Sequence, residues 1–321
     1  MAVYVVGDFL RETRLRKGYT QEEVSYGICT PASLSRIENG AQKPGRLILE
    51  KLFERLGTEN NLFNSFVSKE EMELYLEIQT LIRNVTDGDL QRIEEQIDIV
   101  DRLTKNTSEL ERQSLFWAKG ELATQKYGNN GKAMEYLMKA IQITLPDFDG
   151  KNPLRNHLLT FDEITIINSI AVRHAENTSL LTAIQLDMWL KEYMENRVVD
   201  GRMKTAKYPM ILYNLSCWFG SEHCHKEALD IANQGVDFCV KYGNLVAFPR
   251  LILNQGIASV ELGQIDNAKK YLHQAVTIFE TMKRMDTVEY ITLFLTVSKN
   301  KIATTPENIG VVAILTVVLN Y

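Results

Sequence analysis

Apolar residues recur at the spacing of an α-helix along most of this chain. From residue 68 onward they return every three or four positions, and the runs end at turn-forming residues such as Asp87-Gly88, 127–131 and Gly263. No stretch alternates between apolar and polar residues for long enough to form a sheet. The pattern therefore predicts an all-α protein.

The first 57 residues predict a group of four short helices. They are expected over residues 5–17, 20–27, 31–39 and 46–56. Thr20 followed by Glu23 has the pattern of a capping box at the start of the second helix. Thr30 is expected to cap the third helix, with Pro31 at its first position and Gly40 at its end. A tight turn should join the second and third helices.

The third of these helices has two different faces. At about 100° per residue, Leu34 and Ile37 point one way. The opposite face is small, polar and cationic, with Ala32, Ser35, Arg36 and Asn39. Slim residues and an outward arginine fit the DNA major groove, where arginine can bind guanine through two hydrogen bonds. The alternative is the surface helix of an ordinary helical hairpin.

The wider pattern of this region resembles the Cro/repressor-like (XRE) helix-turn-helix family. The matching positions are Leu10, Arg14, Gly18, Thr20-Gln21, Ile28, the run from Leu34 to Gly40, and Pro44. The resemblance implies that Gln21 contacts a phosphate and that Arg14 forms a structural ion pair with Glu38. The DNA-binding residues expected on this basis are Gln21, Thr30, Ala32, Ser33, Ser35, Arg36, Asn39 and Lys43.

Charge is distributed unevenly along the 321 residues. Residues 1–57 contain nine Lys or Arg against seven Asp or Glu, whereas residues 58–321 contain 27 against 34. This asymmetry places phosphate contacts in the N-terminal module. The rest of the chain is long enough for a further domain with its own core.

Targeting and cysteine signals predict a cytoplasmic protein. The N-terminus lacks a basic region and an apolar stretch of signal length. The four cysteines, Cys29, Cys217, Cys224 and Cys239, lack the spacing of a disulfide scaffold.

A break in the helical pattern predicts a domain boundary between residues 57 and 68. Phe63 and Phe66 within it could anchor a linker on a neighbouring helix or a second subunit. A new helix should begin at Ser68, which forms a capping-box pattern with Glu71. The expected domains are 1–57 for DNA binding, 58–67 as linker, 68–303 as a repeat domain, and 304–321 as an apolar C-terminal segment.

Small residues recur beyond the boundary at the spacing of tetratricopeptide units. In such units they let two helices approach closely while leucine fills the space between them. The copies comprise Trp117, Gly120, Ala133, Leu137 and Ala140; Ile167, Ile170, Ala171 and Ala183; Leu212, Leu215, Ala228, Ala232 and Gly235; and Gly256, Gly263, Ala268, Leu272 and Ala275. Several copies in series favour a tetratricopeptide-like right-handed helical superhelix with a concave groove.

Asparagines recur within these copies. Asn214 and Asn254 hold the same place in two successive units, and Asn168 lies within one position of it. An asparagine side chain can both donate to and accept from the amides of an extended peptide. Each could equally bond to neighbouring backbone, so both interpretations stay open.

The combination of parts resembles the PlcR/Rgg-type (RRNPP) peptide-sensing regulators of Gram-positive bacteria. The matching strings are Ile28-Cys29, Leu34 to Gly40, Ile167 to Ala171, and Tyr213 to Leu215. The resemblance implies a homodimer that binds a double-stranded DNA operator and a short signalling peptide. Its peptide-binding residues would be Asn168, Asn214 and Asn254, flanked by Lys207, Tyr213 and Arg250. The alternative is a repeat scaffold whose groove binds a partner protein, with DNA binding secondary.

Other chemistry has little support in the sequence. The apolar run from Ile309 to Leu319 has eleven residues, too few to span a membrane; packing on the last repeat or on a partner subunit is expected instead. His223-Cys224-His225, with Cys217, is a candidate metal cluster, but no second ligand pair has zinc-finger spacing. We therefore expect no metal, no cofactor, no membrane association and no enzymatic activity.

Overall fold

The computed structural model describes residues 6–58, 68–105, 107, 109–177, 179–197, 199–285, 287–289 and 291. Within these residues the regular elements are helices, and none is a β-strand. The α-helices are α1 (Val6–Arg16), α2 (Gln21–Ser25), α3 (Pro31–Glu38), α4 (Arg46–Arg55), α5 (Lys69–Asp87), α6 (Leu90–Leu103), α7 (Gln113–Gln125), α8 (Asn130–Gln142), α9 (Phe161–Asn177), α10 (Leu180–Asn196), α11 (Gly201–Ser221), α12 (His225–Tyr242), α13 (Phe248–Glu261) and α14 (Ile265–Thr281).

The chain forms two compact units, the first ending at Lys204 and the second beginning at Thr205. The first contains α1–α10, so residues 6–58 and the helices that follow belong to one unit. The domain limits expected from the sequence therefore stay a prediction. Phe63, Phe66 and the segment 304–321 lie outside the described residues. No helix in the described part of the chain is both long enough and apolar enough to cross a membrane.

The ends of α2 and α3 are fixed by the capping residues expected from the sequence. The Thr20 hydroxyl accepts a hydrogen bond from the Glu23 backbone N–H at 3.1 Å, and the Glu23 carboxylate accepts one from the Thr20 backbone N–H at 2.7 Å. The Thr30 hydroxyl accepts from the Ser33 backbone N–H at 3.1 Å. These caps confirm the predicted capping box and the predicted start of α3.

The start of α5 differs in part from the expectation. Ser68 caps it as predicted, accepting from the Glu71 backbone N–H at 3.1 Å. The Glu71 carboxylate, however, accepts from the Arg46 backbone N–H at 2.6 Å, at the start of α4. The N-cap of α4 is Gly45, which has no side chain with which to cap the helix. Glu71 therefore supplies that cap from a different helix.

Sequential helices pack side by side as hairpins. The packed pairs are α5 with α6, α7 with α8, α9 with α10, α12 with α13, and α13 with α14. Gly256 on α13 shows why a small residue is needed, because a Cβ there would lie 2.6 Å from the Leu272 side chain on α14. Ala268 and Ala275 are buried on the same α14. The predicted close approach of the two helices is confirmed.

Candidate DNA-binding surface and repeat-domain sites

The two faces predicted for α3 are present. Leu34 and Ile37 are 0% and 2% exposed in the core of the N-terminal helices. Ala32, Arg36 and Asn39 are exposed, and Ser33 and Ser35 are half-buried. The polar face is therefore open to a ligand along its length.

Hydrogen bonds order the first half of this face. The Thr30 hydroxyl donates to the Ser33 hydroxyl at 3.0 Å. An Arg36 Nη2 donates to the same Ser33 oxygen at 3.5 Å, the upper limit for such a bond. The Arg36 guanidinium is thus placed beside the start of α3 while its other donors remain exposed.

The second half is ordered by Asn39 and by a residue that the sequence analysis missed. The Asn39 side-chain amide donates to the Ser35 backbone carbonyl at 2.9 Å. Arg11 of α1 donates to the Asn39 side-chain oxygen at 3.3 Å. Lys43, three residues after the turn at Gly40, is exposed on the same module. Arg11 lies 28 positions before Asn39, so only the folded arrangement reveals this contact.

A buried ion pair holds α1 against the end of α3. Arg14 Nε and Nη2 donate to the two Glu38 oxygens at 2.6 and 2.8 Å, and Arg14 Nη1 donates to the Tyr19 carbonyl at 2.9 Å. The two side chains are 9% and 1% exposed. The hydrogen bond to Glu38 raises the pKa of the Arg14 guanidinium. The predicted structural ion pair is confirmed.

Gln21 takes part in the same network. Its side-chain Nε2 donates to Glu38 Oε2 at 2.7 Å. This amide donor is therefore committed within the domain, and a phosphate contact by Gln21 stays a prediction. Of the other predicted DNA contacts, Thr30, Ala32, Arg36, Asn39 and Lys43 are exposed.

Asn168, the predicted peptide contact of the first unit, is bonded to a buried carboxylate. Its Nδ2 donates to both Asp187 oxygens, on α10, at 3.2 and 3.0 Å. Asn168 is half-buried and Asp187 is 0% exposed. The amide nitrogen is thereby fixed, which leaves the Asn168 oxygen as the group to accept from a ligand. No pattern in the sequence predicted the contact with Asp187.

Asn254, in the second unit, has a similarly fixed amide. Its Nδ2 donates to Ser216 Oγ at 2.5 Å and to Cys217 Sγ at 3.1 Å, both on α11. Burial raises the pKa of the Cys217 thiol, which keeps it protonated. Asn254 lies in the wall of a small open cavity of about 20 Å³, which has room for about one water molecule. The wall also contains His225, Ala228, Ile257, Ala258 and Glu261.

The other four predicted peptide contacts, Lys207, Tyr213, Asn214 and Arg250, lie on α11 and α13. The Arg250 guanidinium lies 5.7 Å from the centre of the Tyr213 ring, a cation–π arrangement. Tyr213 and Asn214 are 4% and 6% exposed, and Lys207 and Arg250 are half-buried. Tyr213 and Arg250 are thus brought together as an aromatic and cationic pair. A role for them in peptide binding stays a prediction.

The candidate metal cluster occupies the turn before α12. The His223 and His225 rings are 5.8 Å apart and Cys224 is half-buried. No group of three or more His, Cys, Asp or Glu side chains in the described residues could hold a metal ion.

Comparisons with known proteins agree with this geometry. Residues 5–66 match the family model described as a helix-turn-helix domain. Over 63 residues the chain is 38% identical to YqaF of Bacillus subtilis (strain 168), an uncharacterized HTH-type transcriptional regulator, and the match covers 19% of this chain and 83% of YqaF.

Solved structures extend the likeness to the helical repeats. PlcR of Bacillus thuringiensis, in complex with the peptide PapR7 and DNA, aligns with a TM-score of 0.60 at 18% identity, over 89% of this chain and 98% of PlcR. The apo form of the competence regulator ComR from Streptococcus vestibularis aligns with a TM-score of 0.51 at 14% identity, over 92% of this chain and 98% of ComR. At these identities the likeness establishes the fold, and it confirms the predicted all-α fold class. The match to YqaF, over the region that fits the helix-turn-helix model, shows that the chain belongs to the helix-turn-helix transcriptional regulators.

Proposed function

We propose that the protein is a sequence-specific DNA-binding regulator controlled by a short signalling peptide held by its helical repeats. The observation that carries the proposal is the pairing of an open, ordered α3 face with asparagine amides fixed on α9 and α13. PlcR, which shares the fold, was solved with both a peptide and DNA. The protein would then act by binding, without catalysing a reaction.

On the DNA side, α3 would enter the major groove. Arg36 would read a base edge, with Ala32 and Ser35 providing close approach to neighbouring bases. Lys43 would contact phosphate, which fixes orientation without reading sequence. A homodimer would place two such helices on half-sites separated by one or more helical turns.

On the peptide side, Asn168 and Asn254 would each present an oxygen to a backbone N–H of the ligand. Both amide nitrogens are already bonded to the protein, so the side chains need no reordering on binding. A quorum-sensing signal fits this design, because a secreted peptide reports the density of the cells that make it.

Native mass spectrometry of the protein purified from its own host tests the peptide assignment. We expect a retained peptide of roughly five to ten residues, at ~3.3 Å of extended length per residue. A folded protein partner in equal stoichiometry would instead favour a scaffold.

Two substitutions test the division of labour. Arg36→Ala should weaken binding to a duplex selected by the protein from a random library, while the peptide is still retained. Asn254→Ala should release the peptide, while binding of the same duplex in the absence of peptide stays unchanged. Loss of both activities in either folded variant would contradict the proposal.

A further inference from the structure

Buried ion pairs in the first unit join α4 to the start of α9. Arg55 Nη2 lies 2.7 Å from Glu163 Oε1, and these side chains are 1% and 0% exposed. Lys51 Nζ lies 2.6 Å from Asp162 Oδ2, and the Lys51 and Asp162 side chains are 2% and 25% exposed. Because α4 packs in the core of the helix-turn-helix module, these pairs tie that module to the α9–α10 hairpin.

Glu163 is held from both sides. Its Oε2 accepts from the Thr160 backbone N–H at 2.6 Å, and its own N–H donates to the Thr160 hydroxyl at 3.2 Å, which caps α9. Its Oε1 binds Arg55. Glu54 of α4 accepts from the Phe161 backbone N–H at 3.0 Å, a further bond to the same end of α9. A movement of this end of α9 therefore acts directly on α4.

The turn between α2 and α3 is held against the same unit. Arg55 donates to the Tyr26 carbonyl, and the Tyr26 hydroxyl donates to Asp147. Gly27 has φ +66°, and a Cβ there would lie 2.0 Å from the Thr144 carbonyl oxygen. Helix α3 thus starts just beyond a turn that contacts Thr144, in the segment that follows α8.

The same α9 contains Asn168. It lies five residues after Glu163, a rise of roughly 7.5 Å along the helix at 1.5 Å per residue. Its amide is bonded to Asp187 of α10. One helix therefore connects a candidate peptide contact with the carboxylates that hold α4.

We propose that α9 transmits peptide binding to the DNA-reading module, through the bonds of Asp162 and Glu163 to Lys51 and Arg55. The inference rests on the proposed function and names how that function is regulated. A ligand that engages the Asn168 oxygen shifts α9 together with α10, because Asn168 stays bonded to Asp187. Since separating either buried pair would leave an unpaired charge in the interior, α4 follows α9. The position of α3 on DNA changes with it.

Thermodynamic coupling is reciprocal, so DNA must also act on α9. The test is hydrogen exchange of the full chain, with and without a duplex selected by the protein from a random library. We expect exchange in 161–177 to slow by about fivefold or more on DNA binding, the lower end of usual coupling. A change confined to residues 6–58 overturns the inference and leaves the proposed function standing. Failure to select any duplex overturns both.

A double variant tests the route. Arg55→Met with Glu163→Leu removes the charges and keeps apolar volume. We expect the double variant to bind the duplex and to show slower hydrogen exchange in α3. In α9, DNA binding should slow hydrogen exchange by less than twofold. Arg155→Ala with Glu192→Ala is the matched control, because it removes an ion pair of the same unit whose side chains are 62% and 44% exposed. This control should leave the slowing of exchange in α9 intact. An unchanged response in the double variant contradicts the route. The wild-type comparison decides the inference even if the double variant does not fold.

Discussion

Replacing Arg14 should destabilise the helix-turn-helix module far more than replacing an exposed arginine. In Arg14→Ala the Glu38 carboxylate, 1% exposed, keeps the Gln21 amide as a partner but loses both bonds to the guanidinium. Removing one member of a buried ion pair costs about 3–5 kcal/mol, because the other charge stays buried without compensation. Replacing an exposed member of a surface pair costs about 0–1 kcal/mol.

Native-state hydrogen exchange measures this cost within the module. At ~1.4 kcal/mol for each factor of ten, the expected loss speeds exchange in α1 and α3 by roughly 10²–10⁴-fold. The control is Arg155→Ala, whose partner Glu192 is 44% exposed, and whose neighbouring amides should exchange less than about tenfold faster. If Arg14→Ala accelerates exchange no more than the control does, the pair does not hold α1 to α3 and the reasoning fails.

Three further predictions follow from the other sites. Arg36→Ala should relax the base preference at one position and weaken specific DNA binding by about 1–3 kcal/mol. Lys43→Ala should instead weaken binding to all DNA sequences alike, and should reduce the slope of log affinity against log salt concentration by about one. Titrations of selected and scrambled duplexes at several salt concentrations distinguish the two variants. Burial raises the pKa of Glu54 to about 8, so between its ordinary pKa and about 8 the folded state holds a proton that the unfolded state has lost. The free energy of unfolding should therefore fall as pH rises through this window, and urea unfolding should show a shallower fall in Glu54→Gln. Ala258→Leu should overfill the small cavity beside Asn254, crowd the Asn254 side chain and so prevent retention of a host peptide in native mass spectrometry, while binding of a selected duplex without peptide is unchanged.

Local sequence signals were sufficient to predict the helices and caps of the helix-turn-helix module. The caps at Thr20 and Thr30, the two faces of α3 and the small residues between α13 and α14 each depend on residues close in sequence or in a periodic pattern. The Arg14–Glu38 pair spans 24 positions, and it was found because a family resemblance placed both residues. Such features are specified before the chain is packed.

Contacts between distant segments could not be predicted in this way. Arg55 and Glu163 are 108 positions apart, and nothing in either neighbourhood distinguishes them from solvated helix charges. Glu71 was predicted to cap its own helix, yet its carboxylate reaches Arg46, because only the folded chain brings α4 and α5 together. The partner of Asn168, Asp187, depends on the packing of α9 on α10 in the same way.

The division into compact units also depends on distant contacts. A break in the hydrophobic pattern predicts a domain boundary between 57 and 68, which stays a prediction, and packing divides the chain between Lys204 and Thr205. The pattern of apolar residues indicates where helices end, whereas the extent of a compact unit depends on which surfaces are buried against each other. The bonds from α4 to α9 are buried contacts of this kind.

Peptide control of DNA binding is tested most directly by titrating a selected duplex with the full-length protein, with and without the low-mass peptide fraction of the host's culture medium. The account predicts that the peptide fraction changes the dissociation constant by about fivefold or more, and that Asn254→Ala removes this change. Equal affinity in both titrations, with a duplex that the protein binds specifically, would contradict it.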